Sequence, residues 1–241
     1  MKHAHHKWYS PALGRDMELQ VLGHAGARVL VFPTSLGSYS EWTDRRMDRP
    51  GVLGEHLENG WIQMFCLHHV HEESWYGEHL HPGARAWRHL QYDRYLRDEV
   101  IPFSAGENPN PFVMAVGASF GAYHAACFGL RNPHLVNRII GLSGLYDITR
   151  LTGGYSDANV YACNPFDFMR HEHDAARLEA FRRQDIILAI GRDDPARGNN
   201  QEFSGTLWGK GIGNALRIWD GWSHDWPYWE KMIQLYIGGH D

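Results

Sequence analysis

The sequence predicts an α/β protein with a mostly parallel central sheet flanked by helices on both faces. Three observations predict it. Short β-branched and aliphatic runs recur, among them Arg28-Val29-Leu30-Val31-Phe32 and Ile186-Ile187-Leu188-Ala189-Ile190, continuous as in strands covered on both faces. Segments with helical spacing lie between them, as right-handed crossovers between parallel strands require. The third is the stretch from Phe112 to Ala126, an apolar run, then Gly117-Ala118-Ser119-Phe120-Gly121, then a small-residue segment with helical spacing. That pattern predicts a strand, a cramped turn and a buried helix. A Cβ at 117 or 121 would collide with the neighbouring element, and the strained turn lifts the serine hydroxyl clear of the sheet.

Size and composition narrow the class. At 241 residues the chain is expected to form one domain over 1–241, and its 43% hydrophobic content argues against disorder. A formal charge of -5 without a basic cluster points away from nucleic acid. The weakly charged run around Ser119 has the length of a membrane helix, but Asn110, Pro111, Ser119 and His124 interrupt it, so no membrane partner is expected. Met1 to Lys7 lacks the apolar core of a secretory signal, which predicts a cytoplasmic protein. Of three cysteines, Cys66 and Cys127 read as buried thiols, and Cys163 leaves the count odd; no disulfide framework is expected.

Taken in order, a turn over Tyr9 to Gly14 precedes a first strand from about Met17 to Leu22. A second strand over Arg28 to Phe32 ends in the small-residue loop Pro33-Thr34-Ser35-Leu36-Gly37-Ser38. A helix follows from Gly51 to Asn59, then a strand from Trp61 to Leu67. A histidine-rich loop, His68 to Tyr76, leads to an amphipathic helix over Ala84 to Ile101 with Trp87, Leu90, Tyr95 and Leu96 as its apolar positions. After the serine strand and helix comes a strand over Arg138 to Ser143. From about 145 to 174 the periodicity fails, which predicts an irregular excursion over one face of the sheet. Helix 175–183, strand 185–190, helix 197–210, strand 215–219 and helix 227–237 complete the chain.

Functional loops of such sheets gather beyond the C-terminal strand ends. A serine hydroxyl needs a base to take its proton, and the base needs an acid to fix its tautomer. Two strand ends supply them: Gly191-Arg192-Asp193-Asp194-Pro195 and Asp220-Gly221-Trp222-Ser223-His224-Asp225-Trp226. Ser119, Asp194 and His224 occur in the serine, acid, histidine order of the α/β-hydrolase fold. Asp193 is the adjacent alternative acid and Asp220 a distant third. Asp225 reads as a helix N-cap before Trp226-Pro227.

Gly117-Ala118-Ser119-Phe120-Gly121, Gly191-Arg192-Asp193-Asp194 and Ser223-His224-Asp225-Trp226-Pro227-Tyr228-Trp229 resemble an esterase family of α/β-hydrolases. It includes esterase D (S-formylglutathione hydrolase), feruloyl esterases, enterochelin-esterase-like proteins and the mycolyltransferases. The resemblance spans roughly Tyr9 to Tyr236. It implies Ser119 as nucleophile, His224 as general base and acid, and Asp194 as orienter. The oxyanion hole is expected from the amides of Phe120 and, by the family's loop position, Ser35, with Leu36 as the fallback. Relatives often carry glycine where this chain has Thr34.

Trp42, Trp75, Tyr76, Trp222 and Trp226 fall at loops or element ends that could rim the site; Trp75, Tyr76 and Trp222 are the candidate substrate contacts. A metal is not expected: His68 and His69 are neighbours that a strand would point to opposite faces, and His171-Glu172-His173-Asp174 carries no stronger signal. No cofactor is implied. The sequence thus predicts a serine hydrolase acting on a small-molecule ester or thioester. An acyltransferase with the same residues and a non-catalytic binding protein are the alternatives, and homo-oligomer formation is left open.

Overall fold

The strand that carries the serine, β5 (Val113–Ala118), is buried at every position and lies inside an eight-stranded sheet. The computed structural model describes residues 2–239. The other strands are β1 (His3–Ser10), β2 (Arg15–Leu22), β3 (Ala27–Phe32), β4 (Ile62–Leu67), β6 (Arg138–Leu142), β7 (Asp185–Gly191) and β8 (Ala215–Trp219). The order across the sheet is β1-β2-β4-β3-β5-β6-β7-β8. Only β2 runs against the rest, pairing antiparallel with both β1 and β4.

Helices cover both faces. In the first half of the chain they are α1 (Glu41–Asp44), α2 (Gly54–Glu58), α3 (Pro82–Tyr95) and α4 (Ile101–Glu107). After β5 come α5 (Phe120–Arg131), α6 (Ala158–Cys163), α7 (Pro165–Arg170), α8 (Ala175–Arg182), α9 (Arg197–Gly209) and α10 (Trp226–Tyr236). The strand periodicity of two sorts the core. Leu30, Phe32, Val113, Ala115, Ile186 and Leu188 join one cluster, with Phe128 of α5 and Phe203 of α9. Val29, Val31, Met114, Val116, Ile187 and Ala189 join the other, with Leu57 of α2 and Ile233 of α10. Burial on both sides is why these strands read as continuous apolar runs. All three cysteines are free and buried. No helix among the described residues is long and apolar enough to cross a membrane.

Three expectations need correction. β1 was not expected: its residues alternate between exposed and half-buried, and His3, His5 and Lys7 give it no apolar period. It forms because β2 offers an antiparallel partner, with register His3↔Leu22 to Ser10↔Arg15, and because the turn expected at residues 9–14 closes that hairpin. The excursion after Leu145 is not irregular throughout. It contains a 3₁₀ turn, Thr149–Thr152, followed by α6 and α7, each too short for a period to register. The helix expected over 84–101 continues to Glu107 through a π-helical turn, Leu96–Val100, and Trp87 lies on its exposed side. Pro102 follows that turn; it lacks an N–H and its ring crowds the carbonyl four residues back, which a widened turn relieves. The same turn aims Glu99 at the first hairpin, where its carboxylate accepts from Trp8 Nε1 (2.9 Å), Ser10 Oγ (2.7 Å) and the Ala12 amide (3.3 Å).

The elbow between β5 and α5 leaves no room for side chains. A Cβ on Gly117 would stand 2.2 Å from the Gly121 carbonyl carbon. One on Gly121 would stand 2.5 Å from the Phe32 carbonyl oxygen and 2.7 Å from that of Pro33. Both obstacles are backbone, so relief requires moving β3 or α5. Gly121→Ala is therefore expected to destabilise the fold by about 2 kcal/mol or more, measured as a lower urea midpoint at unchanged slope.

Candidate active site

Ser119 follows the last residue of β5 and caps α5 with φ 54° and ψ -120°, backbone that L-residues adopt only under local constraint. Its amide donates to the Leu142 carbonyl of β6 (2.7 Å), which ties the turn to the next strand. The Oγ faces the loop after β8: His224 Nε2 lies 2.9 Å away. On the other side of the ring, Nδ1 lies 2.6 Å from Asp194 Oδ2. The second oxygen of Asp194 accepts the Ala196 amide at 2.8 Å, so this buried carboxylate has one orientation. Of the three candidate acids, Asp194 is the one that reaches the ring. Asp220 pairs with Arg192, and the Asp193 amide is bonded to the Gly221 carbonyl. Asp225 caps α10 by accepting the Trp226 amide.

Two features hold the histidine loop against the sheet. A Cβ on Gly191 would sit 1.9 Å from the Trp222 carbonyl oxygen, so the end of β7 and the loop after β8 touch backbone to backbone. Ser143, after β6, is buried with φ 52°. Its amide donates to the Ala189 carbonyl (2.7 Å), its hydroxyl donates to the Ser223 carbonyl (2.8 Å), and that hydroxyl accepts from Trp229 Nε1 (3.0 Å). Ser143 escaped the sequence reading, although the strand-end rule that singled out Asp194 and His224 points to it as well.

The loop after β3 passes on the opposite side of Ser119. Thr34, at the position where relatives often have glycine, is held by Glu41, whose carboxylate accepts both its amide (2.8 Å) and its hydroxyl. The Leu36 amide, the fallback oxyanion donor, is already committed: it donates to His71 Nδ1 at 3.1 Å. The Ser35 amide has no acceptor among the described residues. That of Phe120, in the first turn of α5, has no intrahelical acceptor. Ser35 and Phe120 line a cavity of about 180 Å³ with Ser119 and His224, walled by Leu145, Ile148 and Leu151. Tyr76 also lines it and its hydroxyl lies 2.7 Å from Ser35 Oγ. A second cavity, about 380 Å³, adjoins the far side of His224 and is bordered by Asp194, Pro195 and Trp222.

The candidate aromatic rim divides. Trp222 is 53% exposed and stacks on His224, ring centroids 5.5 Å apart. Trp75 is buried instead, packed against His89 and Tyr123 beneath the site, and cannot meet a substrate. Trp42 is likewise buried, edge-on to Trp226. Nothing in the local sequence distinguishes these tryptophans, because their exposure is decided by distant elements.

The histidine-rich loop has a packing role that spacing did not reveal. His68 and His69 lie past the end of β4, so their rings are in edge contact (4.9 Å) rather than on opposite faces. His69 stacks on His71 at 3.8 Å, and His71 Nε2 lies 3.0 Å from His124 Nε2 in α5. Accepting from Leu36 at Nδ1 places the neutral His71 proton on Nε2, which donates to His124; the His124 proton is then on Nδ1. Among the described residues no group of three or more His, Cys, Asp or Glu side chains is arranged to hold a metal ion. Burial lowers the pKa of all of these rings, reinforced by neighbouring imidazoles for His69, His71 and His124: His69 to about 4, and His71 and His124 well below their ordinary value. Burial also pushes His89 down to about 3.

No protein-family model matches the chain, and no curated protein matches it in sequence. Solved structures do match in shape. A ferulic acid esterase superposes with a TM-score of 0.73 at 17% identity, covering 98% of this chain and 96% of its own. For an S-formylglutathione hydrolase from Agrobacterium tumefaciens the values are 0.74, 13%, 98% and 93%. The fold is that of the α/β-hydrolases. The Staphylococcus aureus fluorophosphonate-binding serine hydrolase FphF also superposes, at 0.70 and 16% identity over 98% of this chain and 97% of its own. These neighbours are esterases and serine hydrolases, the group that the sequence motifs resemble.

The neutral histidines set an acid limit on stability. In the unfolded chain such imidazoles take up protons as pH falls through about 6.5. In the folded chain they stay neutral down to about 4 for His69 and about 3 for His89. The unfolded state therefore binds more protons over that interval, and stability falls as pH is lowered through it. Thermal unfolding is expected to show Tm declining from pH 6.5 to 4.5, with a shallower decline in His69→Asn.

Proposed function

We propose that the protein is a serine hydrolase that cleaves a carboxylic ester or thioester through an acyl-enzyme. The observation that carries this reading is the continuous hydrogen-bonded chain from Ser119 Oγ through His224 to Asp194, at 2.9 and 2.6 Å. In it, His224 Nε2 takes the serine proton as Oγ attacks the carbonyl, then returns it to the departing alcohol or thiol. Asp194 holds the proton on Nδ1 before attack and stabilises the imidazolium afterwards. The Phe120 and Ser35 amides receive the negative charge that develops on the carbonyl oxygen. Water activated by the same histidine releases the acyl group.

Two observations support the oxyanion assignment against a merely binding role. The Ser35 amide is left without an acceptor while the amides on either side, Thr34 and Leu36, are both engaged. At Thr34, where relatives often carry glycine, the Glu41 carboxylate accepts the amide and the hydroxyl and holds the loop in one conformation. Tyr76 and Trp222 are the proposed substrate contacts, from the cavity wall and the rim respectively.

Incubation with a fluorophosphonate probe and an aryl acetate tests the reading. Labelling on Ser119 and turnover are expected in the native protein. Ser119→Ala is expected to abolish labelling and lower kcat by about 10⁴-fold or more; labelling or turnover that survives the substitution contradicts the assignment. Product analysis with added acceptor alcohols separates hydrolysis from acyl transfer.

A further inference from the structure

Arg150 stands where the two cavities flanking the Ser119–His224 pair meet, and it lines both of them. It sits on the 3₁₀ turn Thr149–Thr152, in the excursion after β6. No hydrogen bond or ion pair engages its guanidinium among the described residues. The nearest acid in sequence is turned elsewhere: Asp147 accepts from the Thr149 amide and hydroxyl and from Asn164 Nδ2. The remaining carboxylate on the second cavity, Asp194, is held by His224 and the Ala196 amide. Around Arg150 the walls are largely apolar, with Leu145 shared by both cavities and Leu151 beside it. Arg150 is exposed to solvent, and a permanent guanidinium charge without a protein counter-ion, on the largely apolar wall of the cavity that also holds Ser119 and His224, is a receptor for an anion carried by the bound molecule.

We propose that Arg150 selects substrates bearing a carboxylate or comparable anion, so that the site acts on acidic esters in preference to neutral ones. The inference rests on the serine hydrolase reading and narrows its substrate class. The anion reaches Arg150 from either end of the ester. Carried on the acyl part, it comes through the cavity that holds the Ser35 and Phe120 amides. Carried on the leaving alcohol, it comes through the cavity bordered by Trp222 and His224. Ring stacking on Trp222 suits an aryl alcohol in the second case.

Three esters distinguish these outcomes: phenyl acetate, 4-acetoxybenzoate with the charge on the alcohol, and monophenyl glutarate with the charge on the acyl group. At low salt at least one acidic ester is expected to exceed phenyl acetate in kcat/KM by about tenfold, and added salt should erode the ratio. Arg150→Gln should collapse that ratio, Arg150→Lys should restore part of it, and Arg150→Glu should invert it. Binding of 4-hydroxybenzoate and glutarate, each compared with its neutral amide by calorimetry on Ser119→Ala, reads the same selection without turnover. Equal kcat/KM values for all three esters, or a preference that persists in Arg150→Gln, overturns the proposal. Absence of turnover of every ester counts against the hydrolase reading instead, and the calorimetric comparison then decides the role of Arg150.

Discussion

The structure depends on a close approach between backbones at the elbow. Gly117 and Gly121 bring α5 so near to β5 and β3 that the intervening residue has one conformation open to it. Left-handed backbone at a non-glycine residue costs about 1–3 kcal/mol, and the surrounding sheet must impose it. The same φ recurs at Ser143 (52°) and Ser223 (48°), both in loops beyond strands on the same side of Ser119. Hydrogen bonds join the three. The Ser119 amide reaches β6, the Ser143 amide reaches β7, and the Ser143 hydroxyl reaches the Ser223 carbonyl. Strain at the reacting residue is thus spread over a lashing of three loops rather than borne by one turn.

This arrangement explains how a short imidazole bridges two distant strand ends. Gly191 lets the Trp222 carbonyl press against β7, so acid and base loops are fixed to each other before either meets the serine. On the other flank, the histidine stack and Glu41 engage the amides on each side of Ser35. One flank arranges proton transfer and the other arranges charge stabilisation. They meet at the elbow, and Trp42 beside Glu41 packs edge-on against Trp226 beside His224.

Much of this was legible in the chain because burial on both faces leaves a strong signal in sequence. Strands β3 to β8 were all expected, and the chain order of Ser119, Asp194 and His224 followed from inspecting their ends. The choice between Asp193 and Asp194 was a matter of one residue, and the geometry brings Asp194 to the ring. What sequence did not reveal depends on contacts between remote segments. β1 is made a strand by its partner, not by its own residues. Trp75 and Trp222 look alike in one dimension, yet one is walled in by α3 and α5 and the other lies open over His224. The histidines around 70 were not expected to bind a metal and were given no role, and their ring planes show a packed stack tied to Leu36.

The π-helical turn at Leu96–Val100 has a consequence for how far the chain tolerates changes in length. One residue more or fewer in a helix rotates everything beyond it by about 100°. Excising a single residue there would regularise the helix and swing Glu99 away from Trp8, Ser10 and Ala12. The opening hairpin would lose its clasp although every residue of the hairpin itself was intact. Spacing, and not only identity, is therefore encoded at this point: an indel that looks harmless on a solvent-facing helix would unfasten the edge of the sheet some ninety positions upstream.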